Sequence, residues 1–451
     1  MATMAKAVSD VETKYHIEFK TYQKTAIESV VNGKDTFVVL PTGYGKSYIY
    51  SFLPEVFNGV LGQTDSSLLV ISPLQSLMVD QVRALTDFGI KATFVGEMQN
   101  DSNVDTEIEK GHFSIVFASP EAVLTSTRWR RVLTRGRFQQ TLKAVAVDEA
   151  HCITQWGADF RQEYARLNEI RSVIASDTPF LALTATATEG MRKEIFKSLQ
   201  MSSDSTTVAI IPERTNIRYT FQKVKKDIGQ NLYWLVQELL SKSDPCKAII
   251  YCRNIASCAD LYEHFMLALG DKAFTSKEKT LQSRVVGMFH RSTSDANKTH
   301  ILETFVKADS QLRVVFATIA FGMGVNIPDV DIVVHWGAPR GVEQFAQESG
   351  RAGRDGRQAD SIVYYNGYDL RSGSSTKEVR ALCTGDTCSP GALCYRRYLF
   401  LGIAALVPSS HEMLSLLYPE AGKLSAVVYD RELMESADYA EFLRHLYHTL
   451  I

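Results

Sequence analysis

The chain has no stretch of eighteen or more apolar residues in its 451 positions. That excludes an ordinary membrane-spanning helix. It is poor in cysteine: Cys152, Cys246, Cys252, Cys258, Cys383, Cys388 and Cys394 are an odd seven scattered over a long chain. Such a set argues against a disulfide framework and for a reducing compartment. It has no excess of either charge, with a formal net charge of -2. A nucleic-acid binder need not be basic overall, but it must then gather its Lys and Arg on one face. Net charge therefore neither supports nor excludes that partner. Met1-Ala2-Thr3-Met4-Ala5-Lys6 lacks the apolar core of a leader, and no Lys/Arg cluster reads as a nuclear address. The expectation is a soluble, intracellular chain. At 45% hydrophobic and 22% charged residues it can bury a large core, and its length suits two or three domains.

What is present begins with Leu40-Pro41-Thr42-Gly43-Tyr44-Gly45-Lys46-Ser47. The run Thr36-Phe37-Val38-Val39-Leu40 before it reads as a buried strand, and Tyr48 to Leu53 after it as the start of a helix. Strand, glycine loop and helix make a phosphate cradle. Gly43 and Gly45 let backbone N–H groups close on an anion, and the helix N-terminus adds positive potential. Lys46 reaches the β- and γ-phosphates in such a cradle, and the Ser47 hydroxyl holds Mg²⁺. Leu40 stands where the strict pattern has its first glycine. The bland alternative is a glycine turn with an exposed lysine.

A second motif answers the first. Ala144-Val145-Ala146-Val147 ends in Asp148-Glu149-Ala150-His151. A carboxylate at a strand tip, Asp148, can hold Mg²⁺, and Glu149 can orient or deprotonate an attacking water. Coupled to Lys46, the pair points to nucleoside triphosphate hydrolysis. Gln23, upstream, carries an amide that can pair with adenine; on sequence alone its solvated-surface reading prevails. Trp156 and Phe160 are interleaved with polar residues before Arg161, a pattern that suits stacking on unpaired bases rather than core aromatics. Thr184, Thr186 and Thr188 place three hydroxyls after a strand, where they could sense the Asp148 end. In the second half, Gln347 to Arg357 sets arginines at spacing three on a glycine turn. Arg351 and Arg354 could enter a cleft as fingers on a phosphate; the bland reading is a solvated basic loop. Thr318 to Gly324 offers small residues and backbone N–H groups to phosphate.

Strand candidates are Leu68–Ser72, Ser114–Ser119, Ala144–Val147 and Phe180–Thr184 in the first half. In the second they are Ala248–Cys252, Val285–Phe289, Val314–Ala317, Ile332–His335 and Ile362–Tyr365. Segments with helical spacing, such as Leu74–Leu85 and Ala256–Leu269, lie between. The alternation predicts α/β architecture with parallel sheets covered on both faces. It pauses from Gln200 to Lys226, which places a boundary near residue 212. No short repeat is visible.

Taken in order, these runs resemble the superfamily 2 helicases, and specifically the RecQ-type DNA helicases. The resemblance rests on Phe19 to Gln23, Pro41 to Ser47, Ser72 to Met78 with Asp80 to Val82, Asp148 to Arg161, Leu183 to Thr188, Ala317 to Pro328 and Gln347 to Gly356. It covers roughly residues 15 to 375. It implies two RecA-like lobes, each a mostly parallel doubly wound sheet, followed by a short helical C-terminal segment. The segments would be a frayed 1–14, a first lobe at 15–212, a second at 213–375 and a degenerate zinc-like tail at 376–451. ATP and Mg²⁺ would bind with Lys20, Gln23, Thr42, Gly43, Gly45, Lys46, Ser47 and His151 as contacts, and Ser47 and Asp148 on the metal. Lys46, Asp148, Glu149, Gln347, Arg351 and Arg354 would carry hydrolysis. Ser76, Trp156, Phe160, Arg161, Arg253, His290 and Thr318 would face DNA, with 3′-to-5′ movement along one strand.

The partners implied are single-stranded and duplex DNA, with repair or replication proteins, no membrane, and a monomeric state. The place implied is the nucleus in a eukaryote and the cytoplasm otherwise. Several positions depart from the family: Lys20 for Arg, Ala158 for His, Ile327 and Asp331 for basic residues, Arg291-Ser292-Thr293 for Ala-Gly-Leu, and Lys298 for Arg. The family's zinc module needs four ligands. Cys383, Cys388 and Cys394 supply three, His411 would have to be the fourth, and the reading is three plain thiols rather than zinc. Rival readings are a DNA-stimulated ATPase that translocates without unwinding, an inactive DNA-binding relative, and an RNA-unwinding enzyme.

Overall fold

The computed structural model describes residues 2–96, 99, 103–156, 162–210, 214, 216–225, 227–322, 327 and 329–384. Phe160, Arg161, Met323, Gly324, Cys388, Cys394 and His411 lie outside the described residues, and for Trp156 only the backbone is described.

Short apolar runs become strands because both of their faces are covered. Seven form one sheet: β1 (Thr36–Val39), β2 (Ser67–Ile71), β3 (Ala92–Val95), β4 (Ile115–Ala118), β5 (Leu142–Val147), β6 (Phe180–Thr184) and β7 (Thr206–Ala209). Its order is β3-β4-β2-β5-β6-β1-β7. Six form the other: β8 (Ile217–Lys223), β9 (Ala248–Cys252), β10 (Val286–Phe289), β11 (Val314–Ala317), β12 (Ile332–Trp336) and β13 (Ala359–Tyr365), in the order β10-β11-β9-β12-β13-β8. Every ladder is parallel. β1, β2, β4 and β6 are buried along their whole length. The two sheets bear out the expected pair of parallel α/β lobes, and no helix among the described residues is long and apolar enough to cross a membrane.

In a parallel sheet all carboxyl ends share one rim, where ligands collect. Here β6 lies between β1 and β5. The Lys46 turn after β1 and the acids after β5 therefore sit on either side of the Thr184 end of β6.

Two expectations are corrected. The segment 1–14 is not frayed: α1 (Met4–Tyr15) is a helix whose Ala7, Val8 and Val11 are buried. Thr3 caps it, its hydroxyl accepting from Lys6 N at 3.4 Å. The i, i+1, i+4 spacing of these small apolar residues presents one face. That face meets α3 (Lys46–Leu61) at Gly59, whose carbonyl accepts from Ala2 N at 3.0 Å. Tyr15 and Phe19 close against Phe52, with ring centroids 5.0 and 5.8 Å apart. The pause at 200–226 is also not a pause. It holds β7 and β8, one for each sheet. Both are edge strands, β7 largely half-buried and β8 with exposed positions, so polar letters among their side chains hide the strand pattern. β3, another edge strand, is four residues long and largely half-buried, and it also went unread.

Candidate active site

The loop after β1 owes its shape to two glycines. Gly43 (φ 81°) and Gly45 (φ 90°) take left-handed conformations that cost a side-chain-bearing residue strain. Gly45 is the N-cap of α3, so the first-turn amides of that helix open onto the turn. Gln23, on α2 (Thr21–Val31), is only 3% exposed. Its Nε2 donates to the carbonyls of Tyr44 (3.2 Å) and Gly45 (2.8 Å), and its Oε1 accepts from Lys20 N at 2.7 Å. The solvated reading of Gln23 is therefore wrong: the amide is a strut under the loop. Lys20 extends its ammonium over the Tyr44 ring, 4.5 Å from the centroid. Lys46 folds back, its Nζ donating to Leu40 O at 3.1 Å. Burial lowers its pKa, although the Glu149 and Asp148 charges favour the ammonium. Ser47 stands in the first turn of α3.

Asp148 follows β5 and is buried. Its Oδ2 accepts from Tyr50 Oη at 3.0 Å and its Oδ1 from Glu149 N at 2.9 Å. Glu149 has φ 49°, a conformation that a non-glycine residue holds only under constraint. His151 is fully enclosed: its Nδ1 lies 3.3 Å from Glu149 Oε2 and 3.3 Å from Thr184 Oγ1. Burial, then the adjacent Glu149 charge, raises Asp148 to about 6. Burial pushes Glu149 the same way, but the His151 hydrogen bond and charge outweigh it and hold Glu149 at about 2. Burial works against a charged His151, yet Cys152 and Glu149 beside it raise it to about 10. The two acids are thus driven apart: one is held ionised by a cation, the other is left wanting one. Of the three threonines, only Thr184 reaches this cluster; Thr188 instead caps the helix Glu189–Leu199.

The second sheet supplies the other wall. The helix Val342–Ser349 follows β12 and leads into the arginine turn. Gln347 Nε2 lies 3.2 Å from His151 Nε2. Thr42 Oγ1 donates to Gly350 O at 3.2 Å. A Cβ on Gly350 would stand 2.8 Å from both Thr42 Oγ1 and Ala346 O, so glycine is required for that approach. Arg214 donates to the carbonyls of Gly350, Ala352 and Gly353 at 3.2, 2.9 and 2.7 Å. Arg351 is buried, and its charge helps hold Glu149 ionised. Arg354 acts on Lys46 in the opposite sense, disfavouring its charge. Burial, with Arg351 next to it, lowers Arg354 itself to about 9. The solvated-loop reading of Arg351 and Arg354 is overturned; Arg357, by contrast, is exposed and pairs with Asp355 at 2.6 Å.

The residues expected to face DNA are scattered by comparison. Ser76 is exposed in the first turn of α4 (Gln75–Asp87), Thr318 is half-buried after β11, and His290 is buried after β10. Arg253 is spent inside its own lobe: it pairs with Asp369 at 3.3 Å and donates to Ser374 O at 2.5 Å. The guanidinium expected to face DNA is thus held by protein partners in this structure.

An Mg²⁺ ion fits here on the chemistry of the donors. A buried carboxylate raised to about 6 gains from a hard cation, and a hydroxyl at a helix N-terminus is its usual companion. Asp148 and Ser47 would hold it. Sequence reasoning missed Tyr50 and Arg214. Tyr50 is four residues after Lys46, one helical turn on, so its place beside Asp148 was readable. Nothing local marks Arg214.

The DEAD/DEAH box helicase family matches residues 20–194, and the helicase conserved C-terminal domain family matches residues 231–356. The chain is 33% identical to the RecQ-like DNA helicase BLM of Xenopus laevis over 359 residues, which is 78% of this chain and 24% of that protein. It is 33% identical to the ATP-dependent DNA helicase RecQ of Pasteurella multocida over 354 residues, 78% of this chain and 50% of that one. It therefore spans a quarter to a half of the length of these relatives. The fold is similar to the crystal structure of the DUF1998 helicase MrfA bound to DNA and AMPPNP, with a TM-score of 0.66 at 17% identity over 93% of this chain and 60% of that one. With both helicase regions matched and the RecQ relatives spanning its two sheets, the chain belongs to the RecQ-type family of superfamily 2 helicases.

Proposed function

We propose that the chain is an ATP-dependent DNA helicase that moves 3′ to 5′ on single-stranded DNA and unwinds duplex DNA. The observation that carries this reading is a meeting of charges. Lys46 and Glu149 on one sheet stand within electrostatic reach of Arg354 and Arg351 on the other. A nucleotide in that crevice is touched by both lobes, so its cleavage changes what holds them together. Lys46 and the first-turn amides of α3 take the β- and γ-phosphates. Glu149, ionised and steered by His151, orients the attacking water. Arg351 and Arg354 carry the charge that develops on the transferred group. Mg²⁺, when bound by Asp148 and Ser47, neutralises phosphate charge. Gln347 of the second lobe touches His151 Nε2 and so links that lobe to Glu149, while Thr184 of the first touches the other ring nitrogen.

Gln23 reads adenine only in part in this conformation. Both of its N–H groups are occupied by loop carbonyls and Oε1 already accepts from Lys20 N, leaving one lone pair of Oε1 to accept from the base amine. Lobe one runs to about residue 212, since β7 joins the first sheet and β8 the second; lobe two runs past 375, since Tyr365 Oη on β13 donates to Cys383 O in the helix Lys377–Thr384. Cys383, whose thiol burial pushes up to about 12, is read as a plain thiol, since three cysteines fall one short of the four ligands of a structural zinc. The monomer acts in the nucleus of a eukaryotic cell or the cytoplasm of a bacterial one, alongside repair or replication proteins.

The test is ATP turnover with and without single-stranded DNA, with strand displacement on a 3′-tailed duplex. Lys46→Ala and Glu149→Gln each lower DNA-stimulated turnover about a hundredfold or more while DNA binding persists. Turnover near the parental rate in either variant would contradict the assigned roles. Turnover without displacement would favour a translocase, and stimulation by RNA in place of DNA would favour RNA unwinding.

A further inference from the structure

On the second sheet, away from the nucleotide crevice, lies a cavity of about 330 Å³, the size of a small-ligand site. It opens beside β10, which is an edge strand, and beneath the helix Asp295–Phe305. Its two halves differ in chemistry. One is apolar: Tyr262, Leu281, Val286, Met288, Ile301 and Leu312 line it. The other is polar and short of partners. Arg284 lines it with its Nε fully buried and without a hydrogen-bond partner among the described residues. His290, which also lines the cavity, is 6% exposed, and its Nδ1 accepts from Ser292 N at 3.1 Å, which leaves the ring proton on Nε2. Ser294 is the N-cap of the helix, yet its side chain makes no cap hydrogen bond. Asn297, in the first turn, also faces the cavity. Asp295 is turned away: it is exposed and bound to Lys298 at 3.3 Å.

We propose that this cavity binds a phosphate carried on a ring, that is, a nucleotide. The phosphate lies at the first turn of Asp295–Phe305, against Arg284, His290 Nε2 and the Ser294 hydroxyl; helix amides and a cation suit an anion. The base lies against Tyr262 and the aliphatic wall. Bare phosphate would leave the apolar half unfilled. A purely apolar ligand would leave the Arg284 Nε without the partner that burial demands. The site does not depend on the reading of the nucleotide crevice, because it shares no residue with it.

The probe is dAMP, titrated calorimetrically into the full chain carrying Lys46→Ala, which weakens the crevice. The expected result is saturable binding that falls at least tenfold on adding Arg284→Ala and is not reproduced by inorganic phosphate alone. Ser294→Asp is the second variant. Aspartate is a good N-cap, so the helix persists, but its carboxylate occupies the phosphate end, and dAMP binding falls likewise. Displacement of dAMP by a 5′-phosphorylated single strand but not by its unphosphorylated twin makes a strand end the natural occupant. Failure of both strands to compete makes it a free nucleotide. Absence of dAMP binding at millimolar concentration, or binding unchanged in both variants, overturns the proposal. Arg284→Ala in the otherwise unaltered chain keeps its parental ATP turnover.

Discussion

At the scale of single residues, the site works by separating two neighbouring acids. Burial raises Asp148 to about 6, while His151 holds Glu149 at about 2. The sign of the pH dependence follows. Above about pH 6 Asp148 is ionised and would be able to hold Mg²⁺; below it the carboxyl is protonated and would hold the ion less well. We expect kcat/KM for Mg·ATP to fall as the pH drops through 6, with Glu149 still ionised. A profile flat down to pH 5 would remove Asp148 from the metal. Tyr251 on β9 offers a second check. Its hydroxyl is buried without a hydrogen-bond partner among the described residues, within electrostatic reach of Arg351 and Arg354. Its ring stacks on His335, 6.0 Å away, and His335 Nε2 lies 3.1 Å from Glu348 Oε2. Tyr251→Phe keeps the stacking and loses only the hydroxyl. We expect ATP turnover within about threefold of the parent and a stability equal or higher, because a buried hydroxyl without a partner costs free energy that the variant recovers. A loss of turnover of about tenfold would show that the hydroxyl holds Arg351 or Arg354 in the working state.

At the scale of elements, α1 is held to α3 by the smallness of two residues. A Cβ on Gly59 would come within 2.9 Å of the Ala7 Cβ, so the helices touch only because that Cβ is missing. Gly59→Val should destabilise the first lobe by about 1–3 kcal/mol, as overpacking does, and urea unfolding would measure it. Unchanged stability would mean that α1 is a loose appendage after all. The edge strands teach the converse. β7 and β8 form through backbone pairing with β1 and β13, and their side chains are partly exposed. Their polar letters therefore hid them, although their place in the sheets is as definite as that of the core strands.

At the scale of the whole molecule, the seam between the sheets sets the chemistry. Arg214 reaches three carbonyls of the arginine turn and so fixes where Arg351 and Arg354 can point. Arg214→Ala should lower DNA-stimulated ATP turnover about tenfold while leaving thermal unfolding close to the parent. Parental turnover would make Arg214 dispensable to the turn. Arg218, exposed and paired with Asp360 at 2.6 Å, provides the control, since a surface pair contributes little.

The amino-acid sequence by itself determined the two-lobe plan and marked most residues of the proposed site. Short apolar runs bounded by turns suit strands covered on both faces, and Gly-x-Gly-Lys-Ser between a strand and a helix suits an anion cradle. Lys46, Asp148, Glu149, Arg351 and Arg354 were all legible, because each belongs to a short local pattern. What only the tertiary structure decided is pairing over distance. It sends the Gln23 amide to the loop carbonyls, Arg253 to Asp369, and Arg214 to the turn at 350–353. A side chain's partner depends on which strand ends the sheet order brings together, and no local spacing carries that information.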